Sequence, residues 1–355
     1  MNESASKNTR GLLQRLDEDA VICAEGYLFE LERRGYLQAG PYVPEVVLEH
    51  PDVVAGLHRE FWRAGTDVIE AFTYYGHREK LRIIGREHLL EPLQKNALSI
   101  AQSVAASVDG ERPLVAGNIC NTNIWDPADR ETDGQVAAMF DEQVAWAAEA
   151  GVDFMIAETF SFFGEAALAL ASIRRAGMPA VVTFAHHREE GLRDGVLLDE
   201  AAIRLEQAGA DVVGVNCARG PRTMLPDVER IRRSVSCHVA ALPVPYRTTD
   251  EQPTFQSLVE TDSHSPPEGG SFPTALDPFT CHRYEMAGFA RKAFEMGVRY
   301  LGVCCGAGPH HVRSIAEALG RRPPASRYSP DMSRHYALGS DARLRRHNQE
   351  FVDKL

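Results

Sequence analysis

The segment DEAAIRLEQAGADVVGVNC, residues 199–217, joins a helical pattern to a strand pattern. The helical part, 199–208, ends at Ala208-Gly209, a pair typical of a helix C-cap that leads directly into the next element. Residues 211–217 then form a nearly continuous apolar run, as expected of a strand that is covered on both faces in a parallel sheet. The segment therefore predicts one helix–strand unit of an α/β fold.

The same unit recurs along the chain. Ala-Gly pairs also stand at 64–65, 150–151 and 176–177, each before an apolar run. Eight such runs alternate with helical stretches, which is the count of a (β/α)8 TIM barrel. A doubly wound sheet is the alternative, but it more often has a Gly-rich phosphate turn after its first strand, and Ala24-Glu25-Gly26-Tyr27 is not that turn. The predicted strands span 20–24, 66–72, 113–119, 152–158, 179–184, 211–217, 238–243 and 298–304, and the predicted helices span 51–64, 79–107, 133–150, 163–176, 199–208, 224–234 and 282–296.

Two regions interrupt this alternation and set the predicted domain boundaries. Residues 243–280 are rich in Pro, Ser, Thr and Gly, and the segment is long enough to be a functional loop. Residues 11–320 are predicted to form the barrel. Residues 321–355 are predicted to form a C-terminal extension with a last helix at 340–354. The extension is either an arm that joins copies of the chain into a homo-oligomer or a loosely packed terminus.

The bulk composition is that of an ordinary globular protein, with 44% hydrophobic and 25% charged residues among 355. A net charge of −12 without a basic block argues against a nucleic-acid partner. No apolar run reaches the roughly 18 to 20 residues of a membrane span, and the polar N-terminus has no hydrophobic signal core. Seven scattered cysteines make a poor disulfide framework, so the sequence predicts a reducing, cytoplasmic setting.

Three cysteines at the ends of predicted strands carry the most specific chemical signal. Cys217 ends the sixth strand, and Cys304 and Cys305 end the eighth, where Gly306 would let the backbone turn sharply. A structural zinc site has four ligands, usually in paired Cys-x-x-Cys motifs, whereas a catalytic zinc keeps three protein ligands and one open position. The three thiols therefore predict a catalytic zinc site. A redox-active vicinal disulfide between Cys304 and Cys305 is the alternative, but it leaves Cys217 unexplained.

The Val-Asn-Cys segment and the Cys-Cys-Gly turn together resemble the homocysteine S-methyltransferase family. The resemblance covers nearly the whole chain and is strongest to the members of that family that use betaine. It implies a zinc-dependent enzyme that transfers a methyl group from an onium donor, an ammonium or a sulfonium, to homocysteine and so forms methionine. Other segments that carry the resemblance are LERRGY (31–36), AGPY (39–42), LHREF (57–61), VRYLG (298–302) and PPAS (323–326).

The resemblance also implies contacts to homocysteine. Glu158 closes the fourth strand, where the family places a carboxylate that holds the homocysteine amino group. Glu25 is predicted as a second contact, although the family has an aspartate one residue earlier, where this chain has Ala24. Thr73 and Asn216 are predicted to form hydrogen bonds in the same pocket.

The implied donor contacts are aromatic, because a quaternary ammonium or sulfonium cannot donate hydrogen bonds and is attracted to ring faces. Tyr42 and Tyr75 fall where the betaine-using members have aromatic donor contacts. Thr159 is also assigned to the substrate pocket, but those members have a tyrosine there. The loss of that ring leaves betaine, a sulfonium and another methylated amine open as donors.

Two other functions compete with this one. A corrinoid or a folate could carry the methyl group, although the chain has no additional domain that would present either. A zinc-binding or redox-sensing protein without catalysis is the second alternative. For the favoured function, the predicted partners are two small molecules, homocysteine and a cationic methyl donor.

Overall fold

The computed structural model, which describes residues 10–350 apart from 189, 262–267 and 269, contains one sheet of eight strands. Every pair of hydrogen-bonded neighbours is parallel, and the first strand pairs with the eighth. A hydrogen bond of 2.8 Å from Asp67 N–H to Ile22 O joins the first and second strands and nearly closes the ring. The fold is a (β/α)8 TIM barrel, as the sequence predicts. The strands are β1 (Val21–Ala24), β2 (Val68–Glu70), β3 (Leu114–Cys120), β4 (Phe154–Phe160), β5 (Ala180–Phe184), β6 (Val212–Asn216), β7 (His238–Leu242) and β8 (Tyr300–Val303).

Helices fill the connections between the strands and cover the outside of the barrel. At the four Ala-Gly pairs each glycine has a left-handed φ, between 71° and 117°, which ends the preceding helix as the sequence predicts. The α-helices are α1 (Leu12–Glu18), α2 (Tyr27–Arg33), α3 (Val46–Glu49), α4 (Pro51–Ala64), α5 (Arg78–Ile83), α6 (Leu90–Ser107), α7 (Glu131–Glu149), α8 (Phe163–Arg175), α9 (Leu198–Gln207), α10 (Pro221–Ser234), α11 (Arg283–Glu295), α12 (Pro309–Ala318) and α13 (Arg346–Gln349).

Two helix predictions are wrong in extent. The predicted helix 79–107 is divided into α5 and α6, because Gly85 has a φ of 70° and turns the chain between them. The predicted helix 340–354 is non-helical up to residue 345, and within the described residues only α13 forms. Residues 351–354 of that prediction lie outside the described part of the chain.

The inside of the barrel is apolar at one end and polar at the other. Lower positions carry side chains such as Val21, Phe154 and Tyr300, which pack into one interior cluster. At the carboxyl ends of the strands the inward-facing side chains are polar, and they include Glu158 and Asn216. Alternation along each strand thus places chemically active groups at the rim where TIM-barrel active sites lie.

The long loop packs onto this rim. In its described part, Phe255 is buried, its N–H donates to Ala218 O at 2.8 Å, and its ring stacks on Tyr246. The extension starts with Arg321, whose guanidinium donates to Asp67 Oδ2 and Ala20 O at the other end of the barrel. Among the described residues, no helix combines the length and the apolar character needed to cross a membrane.

Candidate active site

The sulfur atoms of Cys217, Cys304 and Cys305 meet at the carboxyl-end rim. All three lie within 4.8 Å of one another, and the Sγ atoms of Cys304 and Cys305 are 3.9 Å apart and unbonded. Strand β7 lies between β6 and β8, so the ends of these two strands are next-but-one neighbours around the rim. The three residues could hold one metal ion as a group.

Unusual backbone geometry aims these thiols inward. Cys217 and Ala218 have left-handed φ values of 55° and 50°, a conformation that costs free energy for residues other than glycine. After the cysteine pair, Gly306 has a φ of 91°, and a Cβ there would lie 2.1 Å from the Tyr246 hydroxyl oxygen. The turn that presents Cys304 and Cys305 therefore requires glycine, as the sequence predicts.

The pKa values of the three thiols are shifted in different directions. Hydrogen bonds from the thiols of Cys304 and then Cys305 hold the pKa of Cys217 well below its usual value. Burial raises the pKa of Cys304, and the hydrogen bond to Cys217 raises that of Cys305. The three thiols thus influence one another's protonation, and a bound cation would displace their protons.

A buried polar cluster lies directly beside the thiols, and Asn216 is its centre. Asn216 Nδ2 donates to Glu158 Oε2 at 2.6 Å and to Glu25 Oε2 at 3.1 Å. Oxygen atoms of Glu25 and Glu158 and Cys304 Sγ all lie within 4.8 Å of one another. The one-residue shift from the family pattern therefore still brings a carboxylate into the site, because Glu25 faces inward while Ala24 packs outward.

Glu70, at the end of β2, also belongs to this cluster although the sequence did not indicate it. Asn118 Nδ2 donates to Oε1 of both Glu70 and Glu158, so the two carboxyl groups are held side by side. Asn118 stands near the end of the predicted strand 113–119, whereas Glu70 stands inside the apolar run 66–72. That run was predicted to continue as strand to Phe72, which hid the position of Glu70 at the strand end.

The pKa values of the carboxyl groups of Glu25, Glu70 and Glu158 are raised because these groups are buried. Burial is the largest cause for all three, and it raises the pKa of Glu158 to about 7. The pKa values of Glu25 and Glu70 are raised well above the usual range, first by burial and then by the charge of Glu158. The cluster is consequently prepared for a positively charged group, which would favour the ionised forms.

Thr73 and Thr159 serve the framework of the site. The Thr73 hydroxyl donates to Asn118 O at 2.8 Å, which joins the ends of β2 and β3. Thr159 has a left-handed φ of 64°; its N–H donates to Asn216 Oδ1 at 3.0 Å and its hydroxyl to Glu158 Oε2 at 3.0 Å. Thr159 therefore orients the amide and the carboxylate of the cluster.

The two predicted donor residues lie on the loops after α2 and β2 and also have left-handed backbones, with φ values of 55° at Tyr42 and 60° at Tyr75. Tyr42 is buried, and its hydroxyl has no hydrogen-bond partner among the described residues. The Tyr75 N–H donates to Cys120 Sγ at 3.3 Å. Lys80 Nζ lies 4.0 Å from the centre of the Tyr75 ring, so one face of that ring already carries a cation, which the sequence did not indicate.

The fold and the site together define a TIM barrel whose rim carries three cysteines that could hold a metal ion. The sequence profile of the family described as homocysteine S-methyltransferase matches residues 22–319. The chain is 35% identical over 354 residues to betaine–homocysteine S-methyltransferase 1 of Xenopus tropicalis, which covers 97% of this chain and 83% of that protein. It is 36% identical over 328 residues to S-methylmethionine–homocysteine S-methyltransferase BHMT2 of Pongo abelii, with 89% and 84% covered.

The protein therefore belongs to the homocysteine S-methyltransferase family. Among solved structures, its fold is similar to that of the homocysteine methyltransferase MmuM from Escherichia coli in its oxidized form, with a TM-score of 0.65 at 18% identity. That alignment covers 84% of this chain and 96% of MmuM.

Proposed function

We propose that this chain is a zinc-dependent enzyme that transfers a methyl group from an onium donor to homocysteine. The observation that carries the proposal is the meeting of the Cys217, Cys304 and Cys305 sulfur atoms within 4.8 Å of one another. Family membership supports the reaction class, and the buried carboxyl groups beside the thiols support an amino-acid thiol as the acceptor.

The three thiols fit zinc. Thiolate sulfurs bind zinc at about 2.3 Å, which places two sulfurs of a tetrahedral site about 3.8 Å apart. The separation of 3.9 Å between Cys304 and Cys305 Sγ agrees with that spacing. When bound, zinc supplies a Lewis acid that holds the homocysteine sulfur as a thiolate at neutral pH.

The chain's own residues would orient homocysteine. Glu158 and Glu25 lie close enough to Cys304 for one small molecule to reach both the thiol site and the carboxyl groups. Their burial keeps water away, so an ion pair with the substrate ammonium is stronger than it would be in solvent. Asn216 and Thr159 would hold Glu158 in position through the hydrogen bonds that they already make.

The transfer itself needs no covalent intermediate on the enzyme. The homocysteine sulfur forms a bond to the donor methyl carbon while the bond from that carbon to the donor nitrogen or sulfur breaks. The electron pair of the broken bond stays on the donor, which leaves as a neutral amine or thioether. Positioning and exclusion of water would provide most of the rate gain.

Both a betaine and a sulfonium remain candidate donors. Relatives of similar identity are named for betaine and for S-methylmethionine. Tyr42 and Tyr75 are the proposed aromatic contacts, and Thr159 provides no third ring. Since Lys80 already covers one face of Tyr75, the onium group would contact Tyr42 and the remaining ring surface.

A donor panel tests the proposal. Zinc-loaded protein is incubated with homocysteine and, separately, with glycine betaine, dimethylsulfoniopropionate or S-methylmethionine, and methionine is quantified. We expect one donor class to be used well above the others. Zinc-loaded protein that forms no methionine with any onium donor, but does so with methylcobalamin or a methylfolate, would favour the corrinoid or folate alternative. Inactivity with all of them would favour a non-catalytic zinc protein.

We also propose that the protein works in the reducing cytoplasm, where its thiols stay available for metal.

We further propose that residues 321–355 form an arm that joins copies of the chain. In the described part of the extension, four large apolar side chains are exposed, namely Tyr328, Met332, Tyr336 and Leu338. Light scattering on the double variant Tyr336→Ser, Leu338→Ser tests the arm. A reduced mass relative to the wild-type assembly is expected, and a monomeric wild type would contradict it.

A further inference from the structure

Three buried carboxyl groups face one another beside the thiols without a cation between them. Glu25, Glu70 and Glu158 are 6%, 3% and 2% exposed. Within the described residues, no lysine, arginine or histidine forms an ion pair with any of the three. Burying three acidic groups together is unfavourable unless they are protonated or a cation joins them. The arrangement therefore indicates a binding site for a positive group.

Glu70 is fixed in this arrangement from two sides. The Asn118 amide holds Glu70 Oε1 next to Glu158 Oε1, and the Cys23 thiol lies 3.9 Å from Glu70 Oε2. Asn216 holds Glu25 on the other side of Glu158. Carboxylate oxygens of Glu25 and Glu70 also lie within 4.8 Å of each other, so the three carboxyl groups surround a common point.

A small enclosed cavity adjoins all three groups. It measures about 10 Å³ and is lined by Glu25, Glu70 and Glu158, by Cys304 and Cys305, and by aromatic side chains that include Tyr74. A volume of this size holds about one water molecule. An ammonium group has similar dimensions and carries three N–H donors. Glu25 Oε1 is buried and accepts no hydrogen bond from any described residue, so the site has one acceptor available for a substrate N–H.

We propose that Glu70 binds the α-ammonium group of homocysteine together with Glu25 and Glu158, so that each N–H donates to one carboxyl group. This inference rests on the proposed function. It gives Glu70 a role in choosing the acceptor, because a thiol without an amino group would leave the three carboxyl groups unpaired. It also distinguishes the acceptor from the methyl donor, since a quaternary ammonium or a sulfonium centre has no N–H and cannot donate hydrogen bonds to these carboxyl groups.

The test compares two acceptors on the zinc-loaded enzyme. L-homocysteine and 4-mercaptobutyrate have the same chain and differ only in the amino group. Glu70→Gln keeps the shape of the side chain and removes its charge. We expect kcat/KM for homocysteine to fall about 10- to 100-fold, as for a lost hydrogen bond to a charged group, while kcat/KM for 4-mercaptobutyrate stays within about twofold.

Glu165→Gln is the matched control. Glu165, in the first turn of α8, is also a buried carboxylate and is 2% exposed. Unlike Glu70, it lies outside the cluster, and it accepts hydrogen bonds from the N–H and the hydroxyl of Thr122. The ratio of the two kcat/KM values should be unchanged in that variant even if its stability falls. If Glu70→Gln does not fold, Glu70→Asp, which withdraws the carboxylate from the cavity, should lower the same ratio.

An equal loss for both acceptors, or an unchanged ratio in Glu70→Gln, would overturn the role of Glu70 while leaving the proposed function intact. A wild-type enzyme that methylates neither acceptor with any onium donor would instead overturn the proposed function, and the inference with it.

Discussion

Asn216 Nδ2 lies 2.6 Å from Glu158 Oε2 and thereby joins β6 to β4 across the open end of the barrel. The next residue, Cys217, carries the thiol that has the lowered pKa. One strand end therefore contributes to the proposed metal site and, through the amide, to the proposed ammonium site. Cys217 would help to hold the metal that binds the homocysteine thiol, and Asn216 would position the carboxyl groups that bind the ammonium. Two neighbouring residues at one strand end would thus position both ends of homocysteine.

Asn216→Ala should separate these two roles. The variant loses the donor that holds Glu158 and Glu25, so we expect kcat/KM for homocysteine to fall about 10- to 100-fold. The bound zinc should stay near one ion per chain, because the three thiols are unchanged. Steady-state kinetics and metal analysis check both outcomes. A variant that loses its zinc would show that Asn216 mainly supports the thiols.

Gly306→Ala should damage the cysteine turn. The added Cβ would collide with the Tyr246 hydroxyl, and the left-handed φ disfavours alanine, so a loss of about 1–3 kcal/mol in the free energy of unfolding is expected. Zinc content should fall as well. Gly134→Ala in α7 is the control, because it has open space and a helical backbone and should not destabilise. Equal stability of the two variants, measured by chemical denaturation, would contradict this prediction.

Tyr42 variants should affect the donor rather than the acceptor. The hydroxyl has no hydrogen-bond partner in the described part of the chain, so Tyr42→Phe keeps the ring and should leave the donor KM within about twofold. Tyr42→Ala removes the ring and should raise the donor KM about 3- to 30-fold, the range of a partly desolvated cation–π contact. The homocysteine KM should change little. If it rises as much as the donor KM, Tyr42 does not contact the donor specifically.

The buried His58 should make the protein sensitive to acid. Burial lowers its pKa to about 3, against about 6.5 in the unfolded chain. Between these values the unfolded state binds a proton at His58 that the folded state does not. The free energy of unfolding is therefore unaffected by His58 above about pH 6.5 and decreases as the pH falls below it. His58→Phe should therefore lose about 2 kcal/mol less than the wild type in the free energy of unfolding from pH 7 to pH 5. The same change at the exposed His88 should not alter the slope.

Much of the fold was predictable because the interior strands are apolar on both faces. Residues 211–217 and 298–304 were expected as strands, and the structure places β6 and β8 within those ranges. Their cysteines were recognisable because a barrel brings strand ends to one rim. The positive φ of Gly306 follows from the same argument, since the turn had to be sharp.

The remaining features depended on conformation that apolar periodicity does not encode. Glu70 was hidden within an apolar run, and only the early end of β2 makes it part of the rim. The contact between Lys80 and Tyr75 joins the first turn of α5 to the loop after β2, and apolar periodicity does not encode such a contact. Thr159 stays a predicted pocket residue, but the left-handed backbone that directs its polar atoms to Glu158 and Asn216 could not be inferred from the sequence.

X-ray absorption at the zinc edge tests the central claim most directly. The zinc-loaded wild-type protein should show three sulfur neighbours at about 2.3 Å and a fourth sulfur once homocysteine is added. Cys217→Ser should lose one of these sulfurs or the metal itself, whereas Cys237→Ser, at a cysteine outside the cluster, should leave the spectrum unchanged. A wild-type spectrum with fewer than three sulfur neighbours, or one that homocysteine does not alter, would contradict the account.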